Sequence, residues 1–123
     1  MTKSPKLSDD DLRQFAGGTE HYYRHGLNRN VFFTDGARYI ADQGEAYWLL
    51  DLIAISQSHD KRVARQPFQV WKLAVSPDNT ATITVEDGNF NVLLKQRIAY
   101  TDFPGEGIVL WYSGGVIYLP VEH

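Results

Sequence analysis

The segment Thr19-Glu20-His21-Tyr22-Tyr23-Arg24-His25 packs two histidines, two tyrosines, an arginine and a glutamate into seven consecutive positions. Phe33-Thr34-Asp35-Gly36 and Ala46-Tyr47-Trp48-Leu49-Leu50-Asp51 follow, also mixing aromatic with titratable side chains. Metal binding is the first chemistry to consider. On a helix, His21 and His25 would share a face about 6 Å apart and could hold one ion. On a strand, rising about 3.3 Å per residue, they would stand roughly 13 Å apart and could not. Tyrosine-rich sequence between Gly18 and Gly26 favours the strand. No metal and no other cofactor is therefore expected. Strand alternation then sets Tyr22 and Arg24 on one face, and His21, Tyr23 and His25 on the other.

Acid–base chemistry needs two positioned titratable groups. Glu20, His25, Asp35 and Asp51 are eligible. Asp51 interrupts an apolar helical stretch, where burial would demand a partner; the simpler expectation is a solvated helix stripe. Nucleophilic catalysis has less support. The chain has no cysteine and no Gly-x-Ser-x-Gly elbow, and a set such as Ser56, His21 and Asp51 can be composed in any chain of this size. The glycines fit neither Walker nor dinucleotide-binding spacing. Lys61, Arg62, Arg65 and Lys72 form a basic cluster, and Tyr22, Tyr23 and Trp71 could stack on bases. A net charge of −3 limits nucleic-acid binding to a weak, salt-sensitive interaction.

A chain of 123 residues, 43% hydrophobic and 13% aromatic, reads as a single domain over residues 1–123 with a core of its own. Residues 1–7 read as a flexible tail. No run approaches the roughly 18 apolar residues that cross a bilayer, and Met1–Lys6 lacks the apolar centre of a signal peptide. The absence of cysteine suits a reducing compartment, so a cytoplasmic location without membrane contact is expected.

Leu7-Ser8-Asp9-Asp10-Asp11-Leu12 reads as a helix start: Ser8 caps, the aspartates meet the positive dipole end, and Leu7 staples onto Leu12. Gly17-Gly18 ends that short helix. Val31–Phe33 reads as a strand, Asp35-Gly36 as a tight hairpin turn, and Ala37–Ala41 as the returning strand. From Glu45 to Gln57 the pattern is helical, with Leu49, Leu50, Ile53 and Ala54 at buried-face spacing. After a polar segment over residues 58–66 the period drops to two. Phe68–Val75, Thr80–Glu86, Val92–Thr101, Ile108–Tyr112 and Val116–Leu119 read as strands. Ala81, Ile83 and Val85 point inward, while Thr80, Thr82 and Thr84 point to solvent. Short connections make these strands an antiparallel meander. The expected fold is α+β: a two-layer domain with the C-terminal meander packed against the central apolar helix.

The words at residues 19–25, 33–36 and 46–51, with Pro67-Phe68-Gln69-Val70-Trp71-Lys72-Leu73 and Tyr100-Thr101-Asp102-Phe103-Pro104, occur in this order. Together they resemble a family of short uncharacterised bacterial proteins, a domain of unknown function common among cyanobacteria and mobile elements. The resemblance runs from about Leu12 to Pro120. It implies a stand-alone bacterial accessory domain and carries no catalytic residue onto this chain.

Three tryptophans, seven tyrosines and six phenylalanines without an assembled catalytic motif point to a protein-interaction module, expected to pair as a homodimer. Its surface would be built from Glu20, Tyr22, Tyr23, Arg24 and His25, with Asp35 from the adjoining turn. The alternative is a small enzyme using acid–base residues such as His25, Asp35 or Asp51.

Overall fold

The computed structural model describes residues 12–123. The tail over residues 1–7 and the helix start at Leu7–Asp11 lie outside the described residues. Leu12 and Arg13 are helical, and the chain then turns as far as Gly17. The strand β1 (Tyr22–Arg24) and β2 (Phe32–Thr34) form a short hairpin. The helices α1 (Asp35–Gln43), α2 (Tyr47–His59) and α3 (Lys61–Ala64) follow. Then come β3 (Phe68–Val75), β4 (Ala81–Asp87), β5 (Val92–Ile98), β6 (Gly107–Ser113) and β7 (Val116–Tyr118), with a 3₁₀ turn at Pro120–Glu122. Among the described residues, these seven strands join one sheet in the order β1-β2-β7-β6-β3-β4-β5. It is a mixed α/β architecture, antiparallel except where β2 runs parallel to β7.

Two expectations from the sequence need correction. Asp35-Gly36 is not a hairpin turn, and Ala37–Ala41 is not a strand: both lie in α1. Thr34 is extended, and its hydroxyl accepts the Ala37 N–H, so the segment begins as a capped helix. Ala37, Ile40 and Ala41 then face the core at helical spacing. The second correction concerns the meander. It holds for β3, β4 and β5, but β6 pairs with β3 on its other side and β7 carries on to β2. The connection over residues 99–106 crosses about 14 Å of sheet, three strand spacings. It is tied down as it crosses, because the Thr101 N–H donates to the Asn79 carbonyl and Phe103 is fully buried. Phe103 lies against Gly44, where a Cβ would come within 2.6 Å of its ring.

The core follows the two periodicities. Leu49, Leu50, Ile53 and Ala54 of α2 are buried with Trp71 and Leu73 of β3, Ile83 and Val85 of β4, Leu110 of β6 and Ile117 of β7. Each large aliphatic side chain so removed from water contributes about 1.5–3 kcal/mol. The helix expected at Glu45–Gln57 is found two residues later, with Ala46 at its N-cap. The polar segment over residues 58–66 conceals α3, which Asp60 starts by accepting the Arg62 and Val63 N–H groups. Gln69 is the most deeply buried polar side chain among the described residues. Gln69 on β3 exchanges amide hydrogen bonds with Gln57 of α2, donates to the Val63 and Gln66 carbonyls, and accepts the Trp71 indole N–H. The helices thereby lock to the core-facing side of β3.

Candidate functional site

The residues singled out in the sequence divide at the sheet. Asp35 gathers one group. Its Oδ2 accepts the Glu20 and His21 backbone N–H groups at 3.0 and 3.3 Å, and its Oδ1 accepts the Tyr23 hydroxyl at 2.9 Å. The Tyr23 ring stacks on Phe33, with the Arg38 guanidinium 4.7 Å from its centre. Asp35 thus ties the first strand to the start of α1, where the helix dipole also favours a carboxylate. Glu20 contributes its backbone to this node.

Burial acts to raise the Asp35 pKa, but hydrogen bonds from Glu20, Tyr23, Thr19 and His21 outweigh it and hold the carboxyl below its ordinary value. A carboxyl so lowered stabilises the fold above its unfolded pKa, about 3.9, and loses that contribution as pH falls through the folded value. Asp35→Asn is therefore expected to melt at a lower temperature than the wild type at pH 7. The gap should narrow as pH falls below about 4, where the wild-type carboxyl takes up its proton. Thermal melts over that range check this, and a gap independent of pH contradicts it.

Tyr22 and Arg24 point the other way, onto the sheet face turned from the core. Tyr22 is 62% exposed, and the Arg24 guanidinium lies 5.1 Å from the Phe32 ring centre. This face continues through Val116 and Tyr118 to Trp111, which packs edge-on against Phe68, Tyr118 and His123.

His25 is buried against Asp51, its Nε2 2.8 Å from Oδ1. The Leu27 and Asn28 N–H groups both point at Nδ1, at 3.1 and 3.2 Å. Nδ1 must therefore accept, and Nε2 carries the proton it donates to Asp51. Both ring nitrogens are committed to holding the loop after β1 against α2. Asn28 adds to the clamp by donating to the Ala54 carbonyl and the Ser58 hydroxyl. A shallow cleft of about 540 Å³ opens beside the pair, between Arg24, Leu27, Phe33 and Tyr47. Asp51 is half exposed, as the solvated-stripe reading expects, yet it also has the partner that a buried carboxylate would need.

Other groupings do not assemble. His21 approaches Asp35 while His25 meets Asp51, and no group of three or more metal-ligating side chains gathers among the described residues. The basic cluster is split. Lys72 pairs with Glu86 on the sheet face turned from the core, whereas Lys61, Arg62 and Arg65 belong to α3 and its end on the core side.

One residue that the sequence reading missed is central here. The Glu122 carboxylate reaches back to α1: Oε1 accepts the Thr34 hydroxyl at 2.6 Å and the Leu119 N–H at 2.8 Å, while Oε2 accepts the Gly36 N–H at 3.1 Å. Gly36 permits the approach, since a Cβ there would sit 2.6 Å from both Oε1 and the Leu119 methyl. Glu122 and Thr34 also line a cleft of about 360 Å³ with Tyr22, Val116, Tyr118 and His123.

No curated protein and no solved structure matches the chain. The model of a family of unknown function, DUF6876, matches residues 6–123, beyond both ends of the resemblance seen in the sequence, and the chain belongs to that family.

Proposed function

We propose that this is a small cytoplasmic bacterial accessory protein that binds another macromolecule, in the first place a second copy of itself. The contact surface is the sheet face turned from the core, centred on Tyr22 and Arg24. The observation that carries this reading is the aromatic row running from exposed Tyr22 through Phe32 and Tyr118 to Trp111, with Arg24 laid over it. Tyrosine, tryptophan and arginine are the residues that interface centres concentrate. Face pairing is favoured over edge pairing because both edges are defended. The edge strand β1 has three residues, and β5 carries Lys95 and Arg97 and an irregular register opposite Val85–Glu86.

The acid–base alternative has less support. Both His25 nitrogens are engaged, and Asp35 accepts three hydrogen bonds from its own chain.

Sedimentation of the wild type is expected to show a dimer at tens of micromolar. Tyr22→Ala combined with Arg24→Ala should weaken association more than tenfold, the size of a hot-spot loss above 1.4 kcal/mol. The melting temperature of the monomer should hardly change, since both side chains are exposed. A wild type that stays monomeric sinks the self-association, and a double variant that unfolds makes these residues structural.

A further inference from the structure

We propose that the cleft between Tyr22, Tyr118, His123 and Glu122 is a binding site for an organic ammonium ion, with methylated amines as its ligand class. The inference goes beyond self-association and stands without it, because the cleft is complete within one protomer. Aromatic rings form its walls. Tyr118 and His123 stack with centroids 6.3 Å apart, and among the described residues the Tyr22 side chain makes no ring contact or hydrogen bond. Ring faces attract cations, most of all alkylated ones that lose little hydration.

Glu122 supplies the charge. Its Oε1 already accepts two hydrogen bonds, whereas Oε2 accepts one and keeps an acceptor position. Glu122 is half-buried and, among the described residues, has no cationic side chain paired with it. Among the described residues, no lysine or arginine lines the cleft. The nearby rings of Phe32 and Tyr23 already hold their own cations, Arg24 and Arg38, which leaves Tyr22 as the aromatic ring of the cleft without a partner among the described residues.

The geometry also selects between cations. A guanidinium prefers two carboxylate oxygens in a bidentate fork. With Oε1 saturated, that fork cannot form at Glu122. An ammonium needs one oxygen and the ring faces, which this cleft offers.

Tetramethylammonium chloride is the direct probe, titrated by NMR at pH 8 against sodium and guanidinium chlorides at matched ionic strength. Saturable shifts of Tyr22, Tyr118 and His123 are expected with a millimolar dissociation constant. Guanidinium should bind more weakly. Tyr22→Ala should weaken tetramethylammonium binding about threefold to fivefold, the value of one ring face. Glu122→Gln should weaken it more, but it also disturbs the start of α1 and can fail to fold. His123→Ala is the second variant, because its ring contributes a wall and no hydrogen bond. Shifts that sodium reproduces, or folded Tyr22→Ala and His123→Ala proteins that bind like the wild type, overturn the site. Tyr22 also belongs to the proposed dimer surface, so sedimentation with and without the probe separates the two: a monomer that binds tetramethylammonium keeps this inference and discards self-association.

Discussion

Gly107→Ala is expected to destabilise the protein by about 3–5 kcal/mol, a large share of the 5–15 kcal/mol that holds a domain together. Gly107 opens β6 at φ +138°, in a region that L side chains rarely adopt. A Cβ there would lie 1.8 Å from the Leu73 carbonyl oxygen and 3.2 Å from the Ala74 Cα. These are backbone atoms of β3, so no side chain can swing aside. Relief requires β3 and β6 to separate, at a seam where the Val75 N–H also donates to the Glu106 carbonyl. The seam joins the two halves of the sheet, and the loss should therefore be global. Urea unfolding followed by far-UV circular dichroism checks this. A midpoint within about 0.5 M of the wild type would contradict the β3–β6 register.

Gln69→Leu should cost roughly 2–3 kcal/mol by a different route. Leucine fills a similar volume, so the packing loss is small. What is lost is a set of partners. The Trp71 indole N–H, 3.0 Å from Gln69 Oε1, would be stranded away from water, whereas the Val63 carbonyl keeps the Gln66 N–H at 3.0 Å. Each orphaned buried polar group costs about 1–3 kcal/mol. Gln57 is half-buried and can turn part of its amide to solvent. A Trp71→Phe change added to Gln69→Leu removes one orphan and should recover about 1 kcal/mol, a coupling that a double-mutant cycle reads directly. Equal and additive losses would mean that water replaces the glutamine.

The helix α2 was legible because Leu49, Leu50, Ile53 and Ala54 repeat at helical spacing, and β4 because Ala81, Ile83 and Val85 alternate with threonines. These patterns are local and record which side meets the core. The error at Asp35-Gly36 arose where local signals conflict. Aspartate–glycine after a short strand suits a hairpin, yet Thr34 before it suits a helix cap. Glu122, 88 residues from Thr34, reinforces the second choice, and no window of sequence contains both. The strand order failed for a similar reason. The eight residues between β5 and β6 do not say which strand β6 will join; the burial of Phe103 against Gly44 routes them across.

In the site, alternation alone set Tyr22 and Arg24 on one face and Tyr23 on the other, and the sheet then turned the first pair away from the core. His25 and Asp51 were each conspicuous, but nothing in their separation announced them as a pair. Lys72 joined a basic cluster only on paper, since strand alternation sends it to the face opposite α3.

The place of β7 bears on how the molecule is made. Phe32 pairs with Val116 and Phe33 with Ile117, so the first hairpin meets the rest of the sheet only through residues near the other end of the described chain. Pairings between distant residues form late and slowly, because the intervening chain must be gathered first. During translation the hairpin has no neighbouring strand until residues 116–122 have left the ribosome. A stalled or clipped product would therefore hold Tyr22, Tyr23, Phe32 and Phe33 without shelter, the kind of segment on which unfinished chains aggregate.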